Sequence, residues 1–349
     1  MRDAQLPASA PLVIALHGTT MDGALMRKFT GYEFDSMADT HGFAVFYPDG
    51  YKRNCNDCLT GGAVAATLEN VDDVGFILAL IGKAQSEFKI DPMKVYFVGY
   101  SNGGQLAMTL ATLSPGPAAS MAIFGADLSA PDNSTCPQDS RTPPIMIVAG
   151  TDDPISPYNG GAVNSIFGFQ NKGTVVSAPA TADAFARRNG IDTPPSEEML
   201  PHRDPRDPTS VQRLIWRKDS EPNIVLYSVR GGGHTVPQPI FRYPRWLGRS
   251  NRRSRRPHTS DCIFLPVTLR RWHRRDDRRQ SRHQFDVPRE DRLPMRPPAA
   301  RVLRTGGFER AQPNCFLNNT RLVILSENLR RLPTHSMARC LVPAFAGAD

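Results

Sequence analysis

The chain has 349 residues, of which 40% are hydrophobic and 22% charged, with a formal net charge of +8. That is enough apolar material for one large or two ordinary domains, and no apolar run approaches the ~20 residues that a bilayer-spanning helix needs, so no transmembrane helix is expected. The charge is unevenly placed: residues 251–349 hold 21 Arg, no Lys and nine acidic residues, a net +12 that leaves −4 for residues 1–250.

Leu12 to Leu16 is a continuous apolar run, the pattern of a buried parallel strand, and it leads into His17-Gly18-Thr19-Thr20. The spacing predicts a helix over 32–41 stopped by Gly42, then a strand over 43–47 closed by Pro48-Asp49-Gly50. Residues 51–68 read as a polar, glycine-rich loop. Asn70 is placed to cap a long amphipathic helix over 71–88, with Val71, Phe76, Ile77, Leu80 and Ile81 facing the core. Asp72 and Asp73 fall in its first turn, where the helix dipole favours anions, so these paired acids read as structural rather than catalytic or metal-binding.

Val95 to Val98 is the next strand, and from Gln105 apolar residues recur at helical spacing. Between them stands Gly99-x-Ser101-x-Gly103. A tight strand-to-helix turn needs glycines beside the serine, because a Cβ there would clash, and it presents the hydroxyl next to a helix N-terminus. Strands follow over 121–124 and 144–150. The segment 159–210, with one helix over 181–188, reads as an insertion over the site. Two more strands, 211–216 and 223–229, precede Arg230-Gly231-Gly232-Gly233-His234-Thr235. Strands alternating with helices predict a mostly parallel sheet with helices on both faces, and ligands then bind at the carboxyl ends of the strands.

The chemistry-bearing residues sit at those ends. Ser101 is a poor nucleophile until a base takes its proton; His234 is that base, and an acid holds the tautomer of the histidine and stabilises its cation. Asp153, in Gly150-Thr151-Asp152-Asp153-Pro154, is the candidate acid, with Asp152 its rival. The Thr19 and Asn102 N–H groups are candidate oxyanion donors, each worth ~3 kcal/mol in comparable sites. Cys55 and Cys58 form a single C-x-x-C with no second copy, so a zinc site is not expected. Cys58 and Cys136 either form a disulfide, if the protein is exported, or remain as thiols.

Several blocks in this order resemble the esterase family of polyhydroxybutyrate depolymerases, which includes feruloyl and acetylxylan esterases. They are Pro11-Leu12-Val13-Ile14-Ala15-Leu16-His17-Gly18, Tyr47-Pro48-Asp49-Gly50, Val71-Asp72-Asp73-Val74-Gly75-Phe76-Ile77, Gly99-Tyr100-Ser101-Asn102-Gly103-Gly104, Gly150-Thr151-Asp152-Asp153-Pro154 and Gly231-Gly232-Gly233-His234-Thr235. The resemblance implies an α/β-hydrolase fold over residues 1–250 and a Ser101–Asp153–His234 triad, with Asp153 preferred over Asp152. It implies hydrolysis of carboxylic esters through an acyl-enzyme, with no metal and no cofactor. The substrate it implies first is a poly(3-hydroxybutyrate)-type polyester or its oligomers; the alternative is a feruloyl or acetyl ester on plant polysaccharide. Family members are exported, which implies an extracellular or periplasmic protein. A true start at Met1, without a signal peptide, implies a cytoplasmic one. Two departures stand out: Cys55 replaces a usual aromatic residue, and Val236-Pro237-Gln238 replaces Trp-Pro-Gly, which predicts a more open pocket.

The tail, residues 251–349, starts with Asn251-Arg252-Arg253-Ser254-Arg255-Arg256-Pro257 and has no sustained apolar periodicity. It reads as a shift of reading frame near Asn251–Arg253, or as a solvated, poorly structured basic extension. Phe264, Leu265 and Leu322-Val323-Ile324-Leu325 are its candidates for local structure. A rival reading is a catalytically impaired homologue whose basic tail binds a polyanion. The tail shows no recognisable binding module, so nucleic acid is not the expected partner. Resequencing the coding DNA tests the frame: an interruption near codon 251 is the expected result, and an unbroken frame with no helix-encoding alternative overturns it.

Overall fold

Alternation along the first strand, β1 (Ala10–Leu16), sets up the layers of the molecule. Ala10, Leu12, Ile14 and Leu16 face one side and Val13 and Ala15 the other, and every one is buried. A strand covered on both faces reads as an unbroken apolar run, which is how the sequence presented it. The computed structural model describes residues 6–7, 9–61, 64–113, 116, 118–137, 140–164, 173–201, 206–219, 221–251, 302–303 and 321–323.

After β1 the chain forms α1 (Gly23–Phe29), α2 (Glu33–His41), β2 (Ala44–Tyr47), the single turn α3 (Ala65–Leu68) and α4 (Asp73–Phe88). Then come β3 (Ile90–Tyr100), α5 (Asn102–Leu113), β4 (Ala118–Phe124), β5 (Ile145–Gly150), β6 (Gly161–Ala162), β7 (Thr174–Val175) and α6 (Ala178–Arg188). The strands β8 (Ser196–Met199), β9 (Ser210–Lys218) and β10 (Glu221–Arg230) follow, with β11 (Val302–Leu303) and β12 (Arg321–Val323) in the tail.

The main sheet has the order β11-β12-β2-β1-β3-β4-β5-β10-β9-β8. From β2 to β10 every neighbouring pair is parallel; β9 and β8 at one end and β12 and β11 at the other are antiparallel. On one face lie α4, α5 and α6, through residues such as Ile77, Leu80, Leu106, Leu110 and Phe185. On the other lie α1 and α2, through Met26, Phe29, Phe34 and Ala38. The expected α/β architecture, a mostly parallel sheet with helices on both faces, therefore holds.

Strand order reverses at β1: β2 lies on one side of it and β3, β4 and β5 follow on the other. Such a reversal splays the loops at the carboxyl ends of the two strands and opens a crevice there. The register aligns those ends. Leu16 pairs with Gly99, Tyr100 with Phe124, and Val229 with Gly150. The turns that follow β1, β3, β4, β5 and β10 therefore meet along one rim.

Several boundaries differ from expectation. Asp72, not Asn70, caps α4: its carboxylate accepts the Gly75 N–H at 2.7 Å, while Asn70 sits at φ 46° before the helix begins. Asp73 accepts the Asn56 N–H at 2.6 Å, so both acids are structural, as expected. The segment 159–210 is not simply an insertion over the site, because α6 packs its Ala182, Phe185 and Ala186 into the core and β8 extends the sheet. Helix α1 was not legible: its seven residues give too few turns for a periodicity, although Asp22 caps it by accepting the Leu25 N–H at 2.7 Å. In the tail, Arg321–Val323 pairs with β2 where a local element was expected, whereas Phe264 and Leu265 lie outside the described residues.

Candidate active site

The turn between β3 and α5 carries Ser101, and no loop intervenes: β3 ends at Tyr100 and α5 begins at Asn102. Ser101 takes φ 54°, a left-handed conformation that costs a non-glycine residue about 1–3 kcal/mol and persists only where neighbours enforce it. They do. The Ser101 N–H donates to Phe124 O at 2.9 Å, and Ser101 O accepts the Gly104 and Gln105 N–H groups at 2.8 and 3.0 Å. A Cβ on Gly103 would stand 2.4 Å from Leu16 O and 2.6 Å from His17 O, so only glycine lets the start of α5 press against the end of β1.

His234 lies against this turn from two sides. The Tyr100 hydroxyl donates to His234 O at 2.9 Å, and the two rings lie tilted at 47° with centroids 5.1 Å apart. A Cβ on Gly125, the residue after the acceptor of the Ser101 N–H, would lie 2.9 Å from His234 Cε1 and Nδ1. Glycine at this position, at φ 57°, is what leaves room for the imidazole. His234 Nδ1 and Asp153 Oδ2 are 2.7 Å apart, with both side chains 2% exposed. Asp153 Oδ1 accepts the Ile155 and Ser156 N–H groups at 2.8 and 2.9 Å, which fixes the carboxylate plane. Asp152 is exposed and its carboxylate accepts only the neighbouring Thr151 hydroxyl among the bonds described. The geometry thus brings Asp153, not its rival, to His234.

The turn after β1 is held by a histidine that was not expected to matter. His17 Nδ1 donates to Gly18 O at 2.8 Å, and His17 Nε2 accepts the Gly50 N–H at 2.8 Å. That pairing requires the neutral imidazole, and burial lowers the His17 pKa, which favours the same form. Gly18 to Met21 forms a tight turn through Met21 N–H to Gly18 O at 3.1 Å, with Thr20 at φ 64°. Thr19 lies in that turn, half-buried, and Gly18 abuts the Tyr100 ring.

Asn102 supplies more than an N–H. Its buried side chain accepts the Cys55 N–H at 2.7 Å, donates to Cys55 O at 3.0 Å and donates to Asp57 Oδ2 at 2.6 Å. The loop it clamps is also tied by the Cys58–Cys136 disulfide, which settles the open alternative in favour of the bridge. Closing 78 residues of chain this way contributes about 4.5 kcal/mol in the chain-entropy account. Cys55 is a buried free thiol whose pKa burial pushes well up. Val236 and Gln238 are buried as well, Val236 within the core cluster that also holds Phe29. Among the described residues no group of three His, Cys, Asp or Glu is arranged to hold a metal ion.

Sequence reasoning missed Tyr100, Asp57 and the side chain of Asn102, because each acts on a partner at least 45 residues away. The dienelactone hydrolase family matches residues 26–193, just under half of the chain. The chain belongs to the α/β-hydrolase superfamily. Among curated proteins, this α/β-hydrolase is 28% identical to the putative esterase NocK of Nocardia uniformis subsp. tsuyamanensis, over 71% of this chain and 72% of that protein. It is 25% identical to poly(3-hydroxyalkanoate) depolymerase C of Paucimonas lemoignei, over 66% of this chain and 56% of that one. It is 28% identical to feruloyl esterase B of Thermothelomyces thermophilus, over 38% of this chain and 49% of that one. It thus spans about half the length of the latter two relatives.

Two outcomes follow for this α/β-hydrolase. The unfolded His17 takes up its proton near the ordinary 6.5 and the folded one only at lower pH. The stability it contributes is therefore full above about 6.5 and lost as the pH falls. Thermal melts between pH 7 and 5 should show a shallower decline in His17→Gln than in the wild type. Asn102→Ala leaves both Cys55 backbone groups unpaired and should cost about 3 kcal/mol in urea unfolding.

Proposed function

We propose that this α/β-hydrolase is a serine esterase. Ser101 Oγ attacks the ester carbonyl as His234 takes its proton; His234 then returns that proton to the departing alcohol. Water, activated by the same histidine, hydrolyses the acyl-enzyme. Asp153 holds the imidazole in the tautomer with hydrogen on Nδ1 and stabilises the cation it becomes. The Asn102 N–H, first in α5 and so without an acceptor in the helix, and the Thr19 N–H stabilise the oxyanion.

The observation that carries this reading is the 2.7 Å pair between His234 Nδ1 and Asp153 Oδ2, on the same rim of the sheet as a serine held at φ 54° between strand and helix. A relaxed glycine turn would have no reason to maintain that strain. The turn of β1 at the same rim supports the oxyanion assignment, since Gly103 lies against Leu16 O and His17 O.

For the substrate we infer a poly(3-hydroxybutyrate)-type polyester or its oligomers, supported by the likeness to depolymerase C and by the motif order. The second reading, a feruloyl or acetyl ester of plant polysaccharide, is favoured by the likeness to feruloyl esterase B. The Cys58–Cys136 disulfide supports work in an oxidising compartment, outside the cytoplasm. No helix of the described residues is long and apolar enough to cross a membrane.

Hydrolysis of p-nitrophenyl acetate, butyrate and octanoate by the full-length chain, beside Ser101→Ala, tests the mechanism. The variant should lose on the order of 10⁴-fold or more in kcat; an equal rate in both proteins overturns the assignment. Release of soluble acid from poly(3-hydroxybutyrate), set against release from methyl ferulate and acetylated xylan, decides between the substrates.

A further inference from the structure

Behind the Asp153–His234 pair lies a second carboxyl group that the proposed mechanism does not use. Asp127, in the turn after β4, is 1% exposed. Its Oδ2 accepts the Ser156 hydroxyl at 3.1 Å, and among the described residues its Oδ1 has no hydrogen-bond partner. Ser156, itself buried, donates its backbone N–H to Asp153 Oδ1 at 2.9 Å. One residue thus bridges two buried carboxyl groups, and the far one is linked through the near one to His234.

We propose that Asp127 is a positioning residue for Asp153, acting through Ser156. The inference rests on the triad reading. Two carboxylates joined by a single serine cannot both keep their charge cheaply in a site closed to water. The division of labour follows from their donors. Asp153 has two backbone N–H groups and the imidazole, which stabilise an anion. Asp127 has one hydroxyl, and its own backbone oxygen takes the Gln105 side chain of α5 at 2.6 Å. Helix α6 presents the neutral Thr181 hydroxyl to the next residue, Leu128. Asp153 is the charged group that acts on it. Burial pushes the Asp127 carboxyl up to about 8, against the Ser156 hydrogen bond and with the help of the Asp153 charge.

As a neutral acid, Asp127 holds Ser156 in place without competing with Asp153 for the histidine. Once ionised, it sets a second negative charge behind Asp153 and pulls the Ser156 hydroxyl towards itself. The triad is then disturbed from behind while the substrate side is untouched, so turnover changes and substrate binding does not.

The test compares Asp127→Ala, Asp127→Asn and Ser156→Ala with the wild type. Asp127→Ala and Ser156→Ala should lower kcat about tenfold with KM within twofold. The wild type should show a decline in kcat above pH 8; Asp127→Asn, the neutral isostere, should restore most of the loss and lack that decline. The low-field proton resonance of His234 Nδ1–H reports the pair with Asp153 independently of turnover. It should persist in the wild type and Asp127→Asn and shift or broaden in Asp127→Ala. Equal kcat for the Ala and Asn variants, one shared alkaline profile, or an unchanged resonance in folded Asp127→Ala overturns the proposal. Activity surviving Ser101→Ala would instead overturn the triad reading, and the resonance would still decide the role of Asp127.

Discussion

Helix α5 begins one residue after β3 ends, and this abutment governs the rest of the site. With no loop to absorb the change of direction, the whole turn falls on Ser101, which takes a left-handed backbone. The strain of about 1–3 kcal/mol is offset by the hydrogen bond that the Ser101 N–H donates to Phe124 O and by those that Ser101 O accepts from the Gly104 and Gln105 N–H groups. Close packing of α5 on β1 does the rest, and it exists because Gly103 has no side chain.

Around that turn the polar groups form paired, buried clamps rather than isolated contacts. His17 ties the turn after β1 to Gly50, and Asn102 ties the start of α5 to Cys55 and Asp57. Tyr100 ties β3 to His234, and Asp153 is fixed by the backbone of Ile155 and Ser156. In a low-dielectric interior such networks are strong when every member has a partner and costly when one is missing. That is why removing a single carboxamide is expected to be felt across the rim, although Asn102 reaches residues 45 and 47 positions away in the chain.

The sheet supplies the geometry that these clamps refine. Its strand order reverses at β1, so the ends of β1 and β3 diverge from a common base, and the register brings the ends of β4, β5 and β10 to the same level. The residues of chemical interest come from turns separated by more than 200 positions, from His17 to His234, yet each follows a strand end. The family likeness and the topology agree on the α/β-hydrolase superfamily.

The sequence by itself determined the buried strands, the amphipathic helix before β3 and the glycines around Ser101, because these follow from local periodicity and from steric limits on neighbouring residues. It also marked Ser101, His234 and a pair of rival acids, since each stands at the end of an apolar run. Tertiary structure decided the rest. It chose Asp153 over Asp152 by which carboxylate reaches Nδ1, joined Cys58 to Cys136, moved the helix cap from Asn70 to Asp72, and placed Asp127 behind Ser156. Each of these depends on where a side chain meets a partner distant in the chain or competes with a near neighbour for one donor. No local pattern encodes that outcome, because it is fixed only when the strands take their register.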